Sequence, residues 1–102
     1  ANTIDTTSPR VLISQFLDSS NELVVAFNEA VTDASISALE AALRGLDAIA
    51  DDASISTSDK ITAKIAVNNS AAIPDNNILD VVDFNVEDLT GNVLTITTLD
   101  IA

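Results

Sequence analysis

Two oxygen-rich segments near opposite ends of the chain hold the residues best suited to chemistry. The segment Asp5-Thr6-Thr7-Ser8-Pro9 precedes the first hydrophobic run, and Asp88-Leu89-Thr90-Gly91-Asn92 precedes the last one. Carboxylate, amide and carbonyl oxygens are the ligands that Ca²⁺ prefers, at about six to eight per ion. If both segments lie at one pole of an antiparallel sandwich, the sequence predicts a calcium site at that pole.

The composition excludes several kinds of catalytic site. The chain of 102 residues contains no His, Cys, Met, Trp or Tyr. It therefore has no imidazole base, thiolate nucleophile, disulfide or zinc-thiolate site, and a Ser-His-Asp triad is impossible. Paired carboxylates can hydrolyse glycosidic bonds, but such clefts usually carry aromatic platforms, and the only aromatics are three Phe. We expect no enzyme activity, and carbohydrate binding is disfavoured on the same ground.

The charge balance limits the partners. Sixteen acidic residues against four basic ones give a formal net charge of −12. Nucleic acids and anionic membrane surfaces are recognised by clustered Lys and Arg, so neither is expected as a partner. No apolar run is long enough to cross a bilayer. Most of the acids are expected to form a solvated surface, including Asp51-Asp52 and Asp80/Asp83, while a few could bind divalent cations.

We expect residues 1–102 to form a single domain. Alternation of apolar residues predicts most of its strands. Leu23, Val25 and Phe27 share one face of a strand, and Ile61, Ala63, Ile65 and Val67 share a face of another. We expect Val11 and Ile13 to point inward in the first strand, and Val82, Phe84 and Val86 in a later one. The predicted segments, in chain order, are a lead-in over 1–9, strands 11–17 and 22–27, a helix 35–43, strand 60–67, strand 81–86 and strand 93–101.

The middle of the chain has helical spacing instead. Ile36, Leu39 and Leu43 lie one turn apart, and Ser35 or Ser37 could cap the helix, with Glu40 completing a capping box after Ser37. Gly45 is expected to end the helix at positive φ. The following stretch, 46–55, could form a strand. Short strands with regular turn signals favour an all-β Greek-key sandwich of about seven strands with one short helical insert.

Three motifs in order resemble those of bacterial Ig-like repeat domains of S-layer proteins and large surface adhesins. They are Asp5-Thr6-Thr7-Ser8-Pro9, then 23–31 (LVVAFNEAV) followed by the Ala-Ser element 32–35, then Asp88-Leu89-Thr90-Gly91-Asn92. The helical stretch 36–50 departs from such repeats, which more often continue directly into a strand. The resemblance implies an Ig-like fold and a structural repeat at the cell surface, in an S-layer lattice or an adhesin stalk. Its partners would be neighbouring domains or other copies in a lattice.

In an Ig-like sandwich the N-terminus and the loops after the second strand and before the last strand gather at one pole. The predicted Ca²⁺ ligands there are Asp5, Glu29, Asp33, Asp88 and Asn92. Alternatively, Asp88 and Asn92 only shape a turn around Gly91, and Glu29 pairs with a cation such as Arg10. The alternative role for the whole chain is a ligand-binding module at an adhesin tip.

Overall fold

The computed structural model describes residues 7–17, 19–74 and 76–101. Residues 1–6, most of the predicted lead-in, lie outside this part. The described residues form five strands, one α-helix and a 3₁₀ turn at Ser70–Ala72. In chain order the elements are β1 (Val11–Leu17), β2 (Glu22–Phe27), α1 (Asp33–Arg44), β3 (Thr62–Ala66), β4 (Ile78–Glu87) and β5 (Val93–Asp100).

The strands form two antiparallel sheets, one in the order β1-β2-β3 and one of β4 and β5. A mostly β fold with one short helix is therefore confirmed. The seven-stranded Ig-like Greek key is not confirmed, because the described residues contain five strands. Of the reversal predicted at 18–21, residues 19–21 are described and form a turn. Asn21 there has φ +52°, a conformation that Asn tolerates better than most residues.

One hydrophobic cluster joins the two sheets and the helix. The inward residues Leu23, Val25 and Phe27 of β2 are each at most 2% exposed, as their alternation predicts. They pack in the same cluster as Leu39 and Leu43 of α1 and the buried residues of β4 and β5. Burial of apolar area contributes about 25 cal/mol per Å², so these aliphatic faces position the turns and loops that connect the elements.

The helix begins earlier than predicted. Its N-cap is Thr32, whose side chain accepts a hydrogen bond from the Ser35 amide at 3.2 Å. The prediction of Ser35 or Ser37 as the cap was wrong, because Thr32 already has the extended backbone that an N-cap needs. The predicted capping box does not form, since Glu40 Oε2 instead accepts a hydrogen bond from the Ile55 amide at 2.9 Å.

Gly45 ends the helix, but with φ −74° rather than the predicted positive φ. Residues 46–55 then run through turns and form no strand, contrary to the alternative that their alternation allowed. Side chains of α1 hold this segment. Glu40 bonds the Ile55 amide and pairs with Arg44 at 3.0 Å. Arg44 Nε donates to the Ala53 carbonyl at 2.6 Å. The backbone thus finds partners without a neighbouring strand.

Irregular pairing changes which side chains face inward in β1 and β4. Val11 pairs with Phe27 but Ile13 pairs with Ala26, so β1 advances two residues against one. Such a bulge reverses the alternation, and Ser14 is buried while Ile13 is 48% exposed. In β4 the register shifts between Asp80 and Phe84, and Val82 is 80% exposed. The inward predictions for Ile13 and Val82 were therefore wrong.

Candidate functional site: the Asp88 turn

The turn between β4 and β5 contains the predicted Asp88-Leu89-Thr90-Gly91-Asn92 motif. The Asp88 amide donates to the Asn92 carbonyl at 3.0 Å, and the Gly91 amide donates to the Asp88 carbonyl at 3.2 Å. Gly91 has φ +91°, a conformation that residues with a Cβ rarely adopt. Glycine therefore lets this short connection close while its polar groups point back at Asp88.

The Asp88 carboxylate is the centre of this turn. Its Oδ1 accepts hydrogen bonds from the Thr90 amide at 3.0 Å, the Thr90 hydroxyl at 2.9 Å and the Asn92 amide at 2.8 Å. Its Oδ2 accepts from Asn92 Nδ2 at 3.0 Å. The residue is only 1% exposed. A buried charge is tolerated only when it is hydrogen-bonded in this way.

Two opposing effects act on the pKa of Asp88. Burial raises it, because a carboxylate loses hydration. The hydrogen bonds from Asn92 and then from Thr90 lower it, and together they outweigh burial. The net result is a pKa well below the ordinary value of 3.8. Asp88 is therefore a fixed negative charge at neutral pH.

The connection between β2 and α1 packs against this turn. Val31 forms an isolated antiparallel bridge with Asp88, and the Thr32 amide donates to the Glu87 carbonyl at 3.0 Å. Ser35 Oγ accepts a hydrogen bond from the Glu87 amide at 2.7 Å. Thus the loop after the second strand and the loop before the last strand lie together. We did not predict this role of Ser35. Its position in the Ala-Ser element one turn into the helix is the only signal in the sequence.

The approach to β1 is attached to the same side of the domain. Pro9 is fully buried. The Arg10 amide donates to Asn28 Oδ1 at 2.7 Å, and the Asn28 amide donates back to the Arg10 carbonyl at 2.9 Å. These reciprocal bonds join the end of the lead-in to the loop after β2. We refer to this set, Pro9, Arg10 and Asn28, as the N-terminal clamp.

The structure brings together only some of the predicted metal ligands. Asp88 and Asn92 are in direct contact. Asp33 lies in the first turn of α1, with its side chain 86% exposed and paired with Lys60 Nζ at 3.0 Å. Glu29 is half-buried in the loop after β2, and Asp5 lies outside the described residues.

The fit of Ca²⁺ to this pole is limited by the hydrogen bonds already made. Both Asp88 oxygens accept hydrogen bonds from the chain itself, so an ion bound there would have to displace some of them. Within residues 7–17, 19–74 and 76–101, no three acidic side chains come close enough to hold a metal ion. Asp51, Asp52, Asp80 and Asp83 are exposed, as predicted for a solvated surface. Calcium binding is not tested by this geometry and stays a prediction.

Comparison with models of known protein families, with curated proteins and with solved structures finds no match to this chain. In the part of the chain that the structure describes, no helix is sufficiently long and apolar to span a membrane. The likeness to Ig-like surface repeats therefore rests on the three sequence motifs alone.

Proposed function

We propose that this chain is a non-catalytic, structural Ig-like module of a bacterial or archaeal cell-surface protein, in an S-layer or an adhesin stalk. Its partners would be adjacent domains of the same polypeptide or copies in a lattice. The observation that carries the proposal is the attachment of the end of the lead-in and two loops to one another at one side. The N-terminal clamp holds the start of β1, and the Asp88 turn holds the connection between β2 and α1.

In a stalk or lattice, the orientation of one domain must determine the orientation of the next. A lead-in that swings freely cannot do this, because a flexible junction allows adjacent domains to rotate independently. Burial of Pro9 and the reciprocal bonds between Arg10 and Asn28 fix the direction in which the chain reaches β1. This arrangement supports a mechanical role more directly than a binding role.

The Greek-key part of the proposal is supported by two short pairings outside the five strands. Val31 bridges Asp88, and Ser56 bridges Lys64 with hydrogen bonds in both directions, at 2.8 and 3.0 Å. Ser56 thus extends the β1-β2-β3 sheet beyond β3. Short edge pairings of this kind are what remains when a strand of a seven-stranded sandwich contributes only one or two residues.

The order of repeats in the parent protein tests the structural role. A stalk or lattice module should have near-copies before and after it, whereas a unique domain at the end of the parent chain would favour the ligand-binding alternative. In the parent, the segment containing this domain and its N-terminal neighbour can be examined by small-angle scattering. Asn28→Ala should broaden the distribution of interdomain distances, and the exposed Asn68→Ala should not. Equal distributions for wild type and Asn28→Ala would contradict the mechanical role of the clamp.

Calcium is the second part of the proposal, with Asp5, Glu29 and Asp88 as ligands and Asn92 or nearby carbonyls completing the shell. Binding would stabilise the fold by about 2.7 kcal/mol at about a hundredfold excess over the dissociation constant. The test is thermal unfolding in EDTA and in millimolar CaCl₂ at constant high ionic strength, which holds general screening fixed.

For each variant, the quantity to compare is the difference between its melting temperatures in CaCl₂ and in EDTA. The melting temperature itself is not informative, because Asp88→Ala also removes hydrogen bonds and destabilises the fold in both buffers. Asp88→Ala and Glu29→Ala should each abolish most of that difference, and Asp52→Ala, an exposed carboxylate, should leave it unchanged. Identical melting of the wild type in both buffers would show that the isolated domain has no calcium site. The structural role would survive that result.

A further inference from the structure

A cleft runs between the outer edges of β1 and β5. It is lined by Val11, Leu12, Ser14, Thr98, Leu99 and Asp100. Among the described residues, β1 pairs only with β2, and β5 pairs only with β4. Each strand therefore presents a row of backbone donors and acceptors without strand partners toward this cleft.

The two edges carry few charged residues, and the bulge in β1 and Asp100 in β5 are their only features of the kind that discourages pairing with another chain. Natural sheet edges are commonly blocked by Lys, other charges or Pro. Strand β1 (VLISQFL) has no charged residue and no Pro, and Asp100 is the only charged residue of β5. Leu12 and Ile13 are 60% and 48% exposed, because the bulge at the start of β1 turns consecutive side chains outward. An uncharged, partly apolar edge is unusual on a chain with a net charge of −12.

Ser14 provides an independent observation at the same place. It is 4% exposed, and its Oγ has no hydrogen-bond partner among the residues that the structure describes. A buried hydroxyl without a partner is costly, and most such groups in folded proteins are satisfied. Ser14 also lines the cleft. A segment inserted between β1 and β5 would lie beside this residue.

The geometry points to this cleft as a docking site for an extended segment of another polypeptide, which adds a strand alongside β1. Backbone hydrogen bonds to the edge give affinity in this mode of recognition, and alternate side chains give specificity. The segment would be about as long as β1, uncharged in its middle to match that edge, and basic at the end that meets Asp100. A second copy of this chain is the weaker candidate for this cleft, because two free molecules at −12 repel each other, and copies in a lattice would have to meet at other surfaces. This inference does not depend on the calcium site or on the stalk role.

The probe is a synthetic peptide of alternating Thr and Val with one Lys at each end and blocked termini. It is titrated into the ¹⁵N-labelled domain and followed by amide chemical shifts. Shift changes should concentrate in β1 and β5. A peptide of the same sequence, N-methylated at alternate residues, cannot form the backbone ladder and should bind at least tenfold more weakly. A Glu-flanked peptide should also bind more weakly, and the difference should shrink at high salt.

Three variants separate the edge from general effects on folding. Leu12→Lys and Ile13→Lys place a charge on the β1 edge and should each reduce peptide affinity at least tenfold. Val82→Lys, at a highly exposed residue of β4, is the matched control and should leave affinity unchanged. Ser14→Ala should raise the melting temperature of the free domain and weaken peptide binding. If Ser14 had only a structural role, Ser14→Ala would change the melting temperature and leave peptide affinity unchanged.

Shift changes outside β1 and β5, or none at millimolar peptide, would overturn the inference. Unchanged binding in both Leu12→Lys and Ile13→Lys would overturn it as well. A further contrary result is that the domain without peptide forms concentration-dependent dimers that show the same shift changes. That result would mean that the cleft binds a second copy of this chain, and it would overturn the proposal of a foreign segment.

Discussion

The turn at Asp88 and the cleft at Ser14 contain two buried polar side chains with opposite surroundings. Asp88 is 1% exposed, and its carboxylate accepts four hydrogen bonds from Thr90 and Asn92. Ser14 is 4% exposed, and its hydroxyl has no partner among the described residues. The charged group is therefore the one whose hydrogen bonds are satisfied. Burial alone thus does not show whether a polar side chain is hydrogen-bonded.

The difference arises from how each residue is placed. Asp88 starts a turn whose amides necessarily point back at the first side chain, so local sequence supplies its donors. Ser14 faces inward only because the bulge between Val11 and Ile13 shifts the register of β1. Its neighbours are strand residues, and none of the described groups around it bonds its hydroxyl. Local geometry satisfies the first group, whereas the second has no partner among the described residues.

The largest effect is expected for Asp88→Ala. The change removes the acceptor shared by two backbone amides, the Thr90 hydroxyl and Asn92 Nδ2, and the loss of several part-buried hydrogen bonds is destabilising. The melting temperature should fall by several degrees more than it does for Asp33→Ala. The latter is the control, because its exposed carboxylate pairs with Lys60 at the surface and such pairs contribute at most about 1 kcal/mol. Equal effects of the two changes would contradict the structural role assigned to Asp88.

The acid dependence of stability should follow from the same carboxylate. The pKa of Asp88 in the fold lies below its ordinary value of 3.8, so the unfolded chain binds the proton more tightly. The contribution of Asp88 to stability is then fully present above about pH 4 and is lost as the pH falls through the pKa of the folded state. Urea titrations at about pH 5 and about pH 2.5 should show a larger loss for the wild type than for Asp88→Asn. Parallel losses would assign the acid sensitivity to other groups.

A smaller effect is expected for Ser35→Ala, which tests the contact between α1 and the turn. Ser35 Oγ accepts from the Glu87 amide at 2.7 Å, and Ser35 is 4% exposed. Losing this acceptor should lower the free energy of unfolding by about 1–2 kcal/mol. Ser37→Ala, at an exposed position of the same helix, controls for the gain in helix propensity. A neutral Ser35→Ala would mean that water replaces the hydroxyl.

The smallest effect, and the only one of opposite sign, is expected for Ser14→Ala. Removing a buried hydroxyl without a partner should raise the free energy of unfolding by about 1 kcal/mol. Denaturant unfolding of the free domain measures it. A loss of stability instead would show that Ser14 Oγ is already satisfied, and the contrast with Asp88 would disappear.

The sequence predicted the regular parts of the fold and the local part of the site. The bounds of β1 and β2 match the predicted strands, because their alternation and the intervening turn residues are local signals. The Asp88 turn was identified for the same reason. Ile13 and Val82 were placed on the wrong faces, because a bulge depends on how the partner strand packs and has no signature in the strand itself. The role of Ser35 was missed, since its partner Glu87 is 52 residues away in the chain.

The way residues 46–55 are attached has a consequence for how the domain opens under mechanical force. This segment forms no strand, and side chains of Glu40 and Arg44 hold it to α1. Ala48 and Ile49 are buried, and the Ala48 carbonyl accepts from the amides of residues 68 and 69. Because the segment lacks a ladder of backbone hydrogen bonds, we expect it to open at a lower free energy than the paired strands. Its amides should exchange with solvent before those of β2. If those amides exchange first, this region could release length under force before the strands separate.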